Sequence, residues 1–201
     1  MHVRDWMTSD PITIGPDETV FDAKRIFHEN GFRHLPVVED GRLIGIVSHR
    51  DLLGASLHIA QTIDDPSRYL GELRHAKIRH YMAHPPFHVA PDDPIEKAAR
   101  ILRDQKIGGL PVVEDGRLVG VLTETDLFDA MVETLGLEAG ESKMVFDLEG
   151  DSSERTMQQI VEWLLDNELS MTSLVTYRPR TSPETVRVLV RAAPGARSPI
   201  S

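Results

Sequence analysis

The stretch Leu35–Leu43 reads Leu-Pro-Val-Val-Glu-Asp-Gly-Arg-Leu, and Leu110–Leu118 repeats it without a change. The same offset of 75 residues, from position 35 to position 110, aligns the whole range Met7–Leu52 with the second half of the chain without a gap. Self-similarity over such a length is the sequence signature of a duplicated structural unit. The chain therefore contains two copies of one module.

Each copy predicts the same order of elements. In the first copy, the apolar stretch Ile12–Ile14 predicts a strand, and Pro16-Asp17 opens a helix with apolar residues at helical spacing. Two β-rich runs follow, joined by Asp40-Gly41. Asp-Gly between apolar runs indicates a two-residue hairpin, because both residues tolerate positive φ. A second helix from His49 completes a β-α-β-β-α unit.

The predicted fold class is mixed α/β of the α+β type. We expect modules at residues 1–58 and 77–135, connected by residues 58–76. A three-stranded sheet is too small to bury both faces alone, so the two copies should pack sheet to sheet. They would share one core and form two clefts related by a pseudo-two-fold axis.

The rest of the chain predicts a small β-α-β-β region at residues 141–193 and a flexible tail at 194–201. Strands are expected at 141–149, Leu169–Tyr177 and Thr185–Val190. Asp151 and Glu154 stand at capping-box spacing before a helix. Its predicted apolar stripe consists of Met157, Ile160, Val161, Leu164 and Leu165.

Composition and charge exclude several classes of protein. The 201 residues carry a formal net charge of -10 and include no cysteine, which excludes disulfides and thiolate sites. An acidic chain repels polyanions, so we expect neither nucleic acid nor an anionic membrane as a partner. The sequence shows no signal peptide, and no apolar run reaches the roughly 20 residues that span a bilayer. We therefore predict a cytoplasmic protein.

A hydroxyl and an acid stand three residues apart at the start of each second helix, as Ser48 with Asp51 and Thr123 with Asp126. This spacing is that of a capping box, which needs no ligand. A helix N-terminus also offers free amides, and a carboxylate can accept both hydroxyls of a ribose. Both interpretations stay open, and the shorter reach of Asp than of Glu as a capping residue favours the ligand.

The two copies resemble CBS domains in the paired arrangement called a Bateman module. The resemblance rests on Met7 and Met82, on the two Leu-Pro-Val-Val-Glu-Asp-Gly-Arg-Leu strings, and on the runs Gly45–Asp51 and Gly120–Asp126. The tail resembles part of an ACT domain, without the Pro-Gly turn of many amino-acid-binding members. A CBS pair followed by an ACT-like region is similar to the acetoin utilization protein AcuB family.

The resemblance implies that AMP, ADP or ATP binds between the copies, with no cofactor required. In such families the hydroxyl and Asp bind ribose and phosphate, basic residues before Leu-Pro reach the phosphates from the other module, and apolar residues enclose adenine. One nucleotide site would consist of Arg33, His34, Phe87, Ile107, Pro111, Thr123 and Asp126. A second would consist of Ile12, Phe32, Pro36, Ser48 and Asp51.

The two sites are unequal, because Gly108-Gly109 replaces Arg33-His34 in the second copy. A guanidinium suits phosphate, since it donates paired hydrogen bonds. His34 would add a pH dependence near its unperturbed pKa of about 6.5. The alternative for Arg33-His34 is a solvated strand edge, and the alternative for the apolar residues is an ordinary core.

No pattern in the sequence indicates an enzyme or a metal site. Nucleophile triads, phosphate-binding Walker loops and dinucleotide fingerprints are missing. His80, His84 and His88 recur every four residues, but Pro85 and Pro86 break any helix that would align them. We expect a non-catalytic, homodimeric nucleotide sensor, whose regulated protein partner the sequence does not name. A ligand-free assembly protein and a sensor of S-adenosylmethionine are the alternatives.

Overall fold

The computed structural model describes residues 1–63, 65–135, 142–149 and 153–194. These residues form two compact units, Met1–Leu127 and Phe128–Ser201. The elements of the first unit are, in chain order, a 3-10 turn at Val3–Asp5, β1 (Thr8–Ser9), α1 (Val20–Asn30), β2 (His34–Glu39), β3 (Arg42–Ser48), α2 (His49–Gln61), a 3-10 turn at Pro66–Arg68, α3 (Tyr69–His75), a 3-10 turn at Ile78–His80, α4 (Ile95–Gln105), β4 (Gly109–Glu114) and β5 (Arg117–Thr123). Helix α5 (Glu124–Thr134) begins in this unit, and the second unit contains β6 (Ser142–Glu149), α6 (Ser153–Asp166), β7 (Leu169–Tyr177) and β8 (Thr185–Pro194).

The two predicted hairpins are confirmed. Strand β2 pairs with β3 and β4 pairs with β5, both antiparallel, and each register shifts by one residue at the same repeat position. The turn residues Asp40 and Gly41 have φ of 49° and 75°, and Asp115 and Gly116 repeat these values closely. Strands β3 and β5 pair at Arg42 and Arg117, which joins the two hairpins in one sheet.

The predicted first strand of each module is reduced to a single parallel bridge, Ile14 with Val37 and Val89 with Val112. Only the backbone of Ile14 reaches the sheet, donating to the Pro36 carbonyl and accepting from Val38. Pro11 and Pro16 flank the predicted strand Ile12–Ile14 on its two sides. Because proline has no N–H to donate, the pairing cannot extend into a full strand.

The first helix of module 1 begins at Val20 rather than at Pro16-Asp17, and Thr19 is its N-cap. The Thr19 hydroxyl accepts from the Asp22 amide at 3.1 Å, which supplies the cap that the Pro-Asp pair was expected to mark. In module 2 the helix begins at Ile95 after Pro94, without a side-chain cap.

The segment in front of each module packs on the other module. The amides of Val3 and Arg4 donate to the carbonyls of Asp93 and Pro91, and 75 residues later Ile78 and Arg79 donate to Glu18 and Pro16. Met82 lies against Gly45, where a side-chain carbon would stand 2.5 Å from the sulfur, and Met7 lies against Gly120 in the same way. In this exchange of leading segments, the hydrogen bonds and the methionine contacts hold the two repeats together.

The described buried residues of the first unit form two clusters, one for each module, and not the single shared core that the sequence predicts. The cluster of module 1 includes Ile78 from the exchanged segment and Leu73 from α3. Helix α3 therefore makes the segment between the modules part of the core, because Leu73 buries its side chain against α1 and α2.

In the second unit, the sheet order is β6-β8-β7, and the β-α-β-β order of the prediction is confirmed. Ile160 and Leu164 of α6 pack with buried residues of β8, whereas Val161 and Leu165 are exposed, so the buried stripe is narrower than predicted. Strand β8 continues to Pro194, which the sequence places in the tail. Residues 195–201 and Asp151 lie outside the described residues.

Candidate functional site

A complete capping box lies at the start of α2 and again at the start of α5. Asp51 Oδ2 accepts from the Ser48 amide at 2.7 Å and from the Ser48 hydroxyl at 2.6 Å, while the Asp51 amide donates back to Ser48 at 3.3 Å. Asp126 and Thr123 repeat this arrangement at 2.6, 2.8 and 3.4 Å. The capping interpretation of both pairs is therefore confirmed, and the shorter reach of Asp than of Glu does not prevent the box from closing.

Both carboxylates keep one oxygen for other contacts. Every hydrogen bond that the two Asp side chains accept in these boxes uses Oδ2, and among the described residues Oδ1 of Asp51 and of Asp126 has no hydrogen-bond partner. Both side chains are half-buried beside a helix N-terminus, where the free amides create a positive end. Each box thus combines a structural cap with an acceptor that a hydroxyl of a ligand could use.

A third box of the same kind caps α1. Thr19 and Asp22 form the same reciprocal bonds, also through Oδ2, and the hydrogen bond from Thr19 lowers the pKa of Asp22. The capping box alone therefore does not define a binding site. What distinguishes the other two boxes is that both helices begin beside the contact between the modules.

His34 makes that contact. Its ring lies on the backbone of Gly108 and Gly109, where a side-chain carbon on Gly109 would stand 2.7 Å from His34 Cγ. Gly109 in turn pairs with Thr123 across the β4–β5 ladder, and His34 pairs with Ser48 across β2–β3. The difference between Arg33-His34 and Gly108-Gly109 thus has a steric cause, since the imidazole needs a glycine opposite.

The environment of His34 shifts the pKa of its imidazole away from the expected value. Burial lowers the pKa of His34 below its ordinary value of about 6.5, and the charge of Arg33 lowers it further. Glu124 and Asp51 act in the opposite direction. The expectation of an unperturbed pKa is therefore wrong, and the neutral imidazole is favoured.

Arg33 is exposed and lines a cavity of module 1 together with Lys24, His28 and His49. The structure thus places Arg33 beside basic side chains of its own module. Sequence reasoning missed Lys24, His28 and His49 as functional candidates. A signal was present, because Lys24 and His28 stand four residues apart and therefore on one face of α1.

The apolar site residues lie in several environments. Phe32 and Ile107 are partly buried against the clusters of modules 1 and 2, respectively. Pro36 and Pro111 are buried in β2 and β4, with their carbonyls accepting from Ile14 and Val89. Ile12 and Phe87 are about half exposed, which leaves both available to a ligand.

The described part of the chain contains neither a candidate metal site nor a candidate membrane-spanning helix. There, His, Asp and Glu side chains nowhere gather in a group of three that could hold a metal ion. Within the same ranges, no helix has the length and apolar character needed to cross a membrane.

Comparison with known proteins covers the duplicated part of the chain. The family model described as CBS domain matches residues 3–58 and 78–133. A crystal structure of a protein assigned as acetoin utilization protein AcuB from Vibrio cholerae is 33% identical, with a TM-score of 0.57, over 68% of this chain and 94% of that one. The structure of CBSX2 in complex with AMP is 30% identical, with a TM-score of 0.55, over 65% and 96%. The CBS domain pair of MJ0100, in complex with 5-methylthioadenosine and S-adenosyl-L-methionine, is 26% identical, with a TM-score of 0.55, over 65% and 95%.

Proposed function

This chain belongs to the CBS domain family, and on that premise we propose that it is a non-catalytic regulatory module that binds AMP, ADP or ATP. The nucleotide would lie between the repeats. Its binding would bias the relative orientation of the two modules, which requires different affinities in two states.

The observation that carries the proposal is the unused Oδ1 of Asp126 and of Asp51 at the helix starts that flank His34. A carboxylate oxygen held in place by a closed capping box is a preorganised acceptor for the hydroxyls of a ribose. The AMP complex of CBSX2, 30% identical to this chain, supports an adenosine ligand. We propose the site of Asp126, with Thr123, Arg33 and His34, as the stronger one, and the site of Ser48 and Asp51 as the weaker one.

S-adenosylmethionine is a second candidate ligand, because the CBS pair of MJ0100 was crystallised with it and with 5-methylthioadenosine. Arg33 favours a phosphate over a positively charged sulfonium. A thermal-shift screen with AMP, ADP, ATP and S-adenosylmethionine separates the two, since a ligand that binds only the native state raises the unfolding midpoint. No shift with any of the four would favour a ligand-free assembly role.

Asp126→Ala tests the site itself. Loss of hydrogen bonds to a charged acceptor, worth roughly 1.5–3 kcal/mol, should lower AMP affinity about tenfold or more by calorimetry. The matched control is Asp22→Ala, which removes the same kind of cap from α1 and should leave AMP affinity unchanged. Equal AMP affinity in wild type and Asp126→Ala would reject the assignment.

Arg33→Ala tests the phosphate contact within the same proposal. It should weaken AMP but leave adenosine nearly unchanged, and the loss should shrink as salt rises, because exposed charges are screened over about 10 Å at 0.1 M. Equal weakening of the two ligands would assign Arg33 to support of the pocket and not to the phosphate.

A further inference from the structure

Module 1 contains a cavity of about 540 Å³ between the end of α1 and the start of α2. Small-molecule sites commonly have volumes of about 300–1,000 Å³. The lining residues are Lys24, Phe27, His28, Gly31, Phe32, Arg33 and His49. All of them come from one module, and among them only Phe32 and Arg33 also belong to the nucleotide sites expected between the repeats.

Four of the lining side chains are basic, and none is acidic. Lys24 Nζ donates to the neutral hydroxyl of Ser56 at 2.8 Å. Among the described residues, Lys24, His28, Arg33 and His49 form no ion pair with any carboxylate. In a chain with a net charge of -10, such an uncompensated basic group is a local site for an anion.

The wall of the cavity is aromatic as well as basic. The rings of Phe27 and Phe32 meet edge to face with centroids 5.8 Å apart, and the His49 ring lies 6.2 Å from Phe27. The His49 amide donates to the Arg33 carbonyl at 3.0 Å, which fixes the start of α2 against the segment that leads into β2. An apolar planar group could pack on this wall while its anionic end meets the basic side chains.

Module 2 provides an internal comparison, because it has the same fold with a different set of charges. Ala99, Gly108 and Glu124 stand where module 1 has Lys24, Arg33 and His49. Arg103 stands in the position of His28 and pairs with Asp104 at 2.8 Å, Lys106 replaces Gly31, and Glu124 brings an acid to the position of His49. The fold of the module therefore does not require a basic residue at the positions of Lys24 and His49, whereas glycine at position 108 follows from the packing of His34.

We propose that this cavity is a further ligand site beside the two nucleotide sites, and that it takes a small phosphorylated compound with a planar apolar group. Lys24, His28 and His49 bind the phosphate, and Phe27 packs against the ring. The site requires neither ribose nor adenine, and it does not depend on nucleotide binding in the cleft.

Phenyl phosphate is a suitable probe, because it has a ring and a phosphate but no ribose. Calorimetry on the full chain at low salt should show one phenyl phosphate bound per chain, more tightly than inorganic phosphate. Lys24→Gln, which keeps a donor for Ser56, and His49→Glu, which introduces the residue of module 2, should each lower the affinity at least about tenfold, the loss expected for one charge-assisted hydrogen bond.

Two control variants distinguish binding in this cavity from a general effect of charge and from binding in the cleft between the repeats. Arg25→Gln removes one charge from the exposed face of α1, where Arg25 pairs with Glu29 at 3.3 Å, and should leave phenyl phosphate affinity unchanged. Asp126→Ala should also leave it unchanged, and Lys24→Gln should leave AMP affinity unchanged, because Lys24 lines this cavity and is not part of the nucleotide sites, so the two proposals can fail separately. No binding to the wild type, or equal weakening by Arg25→Gln and Lys24→Gln, would overturn the proposal.

Discussion

Gly109 shows how a single missing side chain decides the contact between the modules. The His34 ring occupies the space that a side chain at Gly109 would need, and it approaches Gly108 closely as well. The duplicated sequence therefore cannot place a histidine on both sides of the pseudo-two-fold axis at this point. The two copies differ here because their side chains compete for one volume.

Gly109→Ala should destabilise the protein by about 1–3 kcal/mol, the usual cost of overpacking, because its Cβ would meet His34 Cγ. The free energy of unfolding from denaturant titration measures this. His34→Ala in the same chain should recover much of the loss, since it empties the contested volume. Gly54→Ala in α2 is the control, because nothing lies within 4 Å of its Cβ position and alanine favours a helix. An unchanged stability in Gly109→Ala would contradict the contact.

At the scale of elements, the exchanged segments are the main departure from a simple tandem repeat. Ile78 and Val3 are fully buried, and each belongs to a 3-10 turn that packs on the module it does not precede. Equivalent ion pairs accompany them, Arg4 with Asp92 and Arg79 with Asp17. The hydrophobic anchors should dominate, because exposed ion pairs contribute only about 0–1 kcal/mol.

Ile78→Ala should cost about 2–5 kcal/mol, since it leaves a cavity in the core of module 1. The neighbouring Arg79→Ala is the matched control and should change stability by less than about 1 kcal/mol. Both are read from the denaturant midpoint at constant slope. If the two variants lose similar stability, the ion pairs and not the buried anchors hold the segment.

At the scale of the whole molecule, exposed apolar pairs recur on the second helix of each module. Leu53 and Leu57 on α2 are more than half exposed and lie one turn apart. Phe128 and Val132 on α5, at the offset of 75 residues, are exposed as well. Apolar residues repeated in this way on one helix face are typical of surfaces that another protein covers.

We expect a homodimer in which these helices contact a second copy. Light scattering should give about twice the 22.5 kDa chain mass, and the double variant Leu53→Glu with Leu57→Glu should reduce it to the mass of one chain, because charges would be buried. Leu165→Glu on α6 is the control in the second unit. If only Leu165→Glu dissociates the dimer, the β-α-β-β unit holds it, and a monomeric wild type would contradict the dimer itself.

The features that depend on neighbouring residues can be predicted from the amino-acid sequence alone. Turn chemistry, capping and periodicity act over a few residues, so they can be read from the sequence. They predict the Asp-Gly hairpins, the starts of α2 and α5 at His49 and Glu124, and the β-α-β-β order, and the repeat is visible directly. Sterics between neighbours explain local errors, such as the first strand that is reduced to Ile14 between Pro11 and Pro16.

Contacts between residues that are distant in the sequence become visible only in the folded protein. Three features join positions that are far apart in the chain. They are the exchange of the leading segments, the packing of His34 on Gly109, and the cavity that Lys24, Arg33 and His49 line together. Such contacts depend on how closely two backbones approach and on which side chain fills the space between them. A local sequence pattern does not predict such contacts. The repeated stretches are the same in both modules, whereas the space and the charge around each stretch depend on the residues that pack against it.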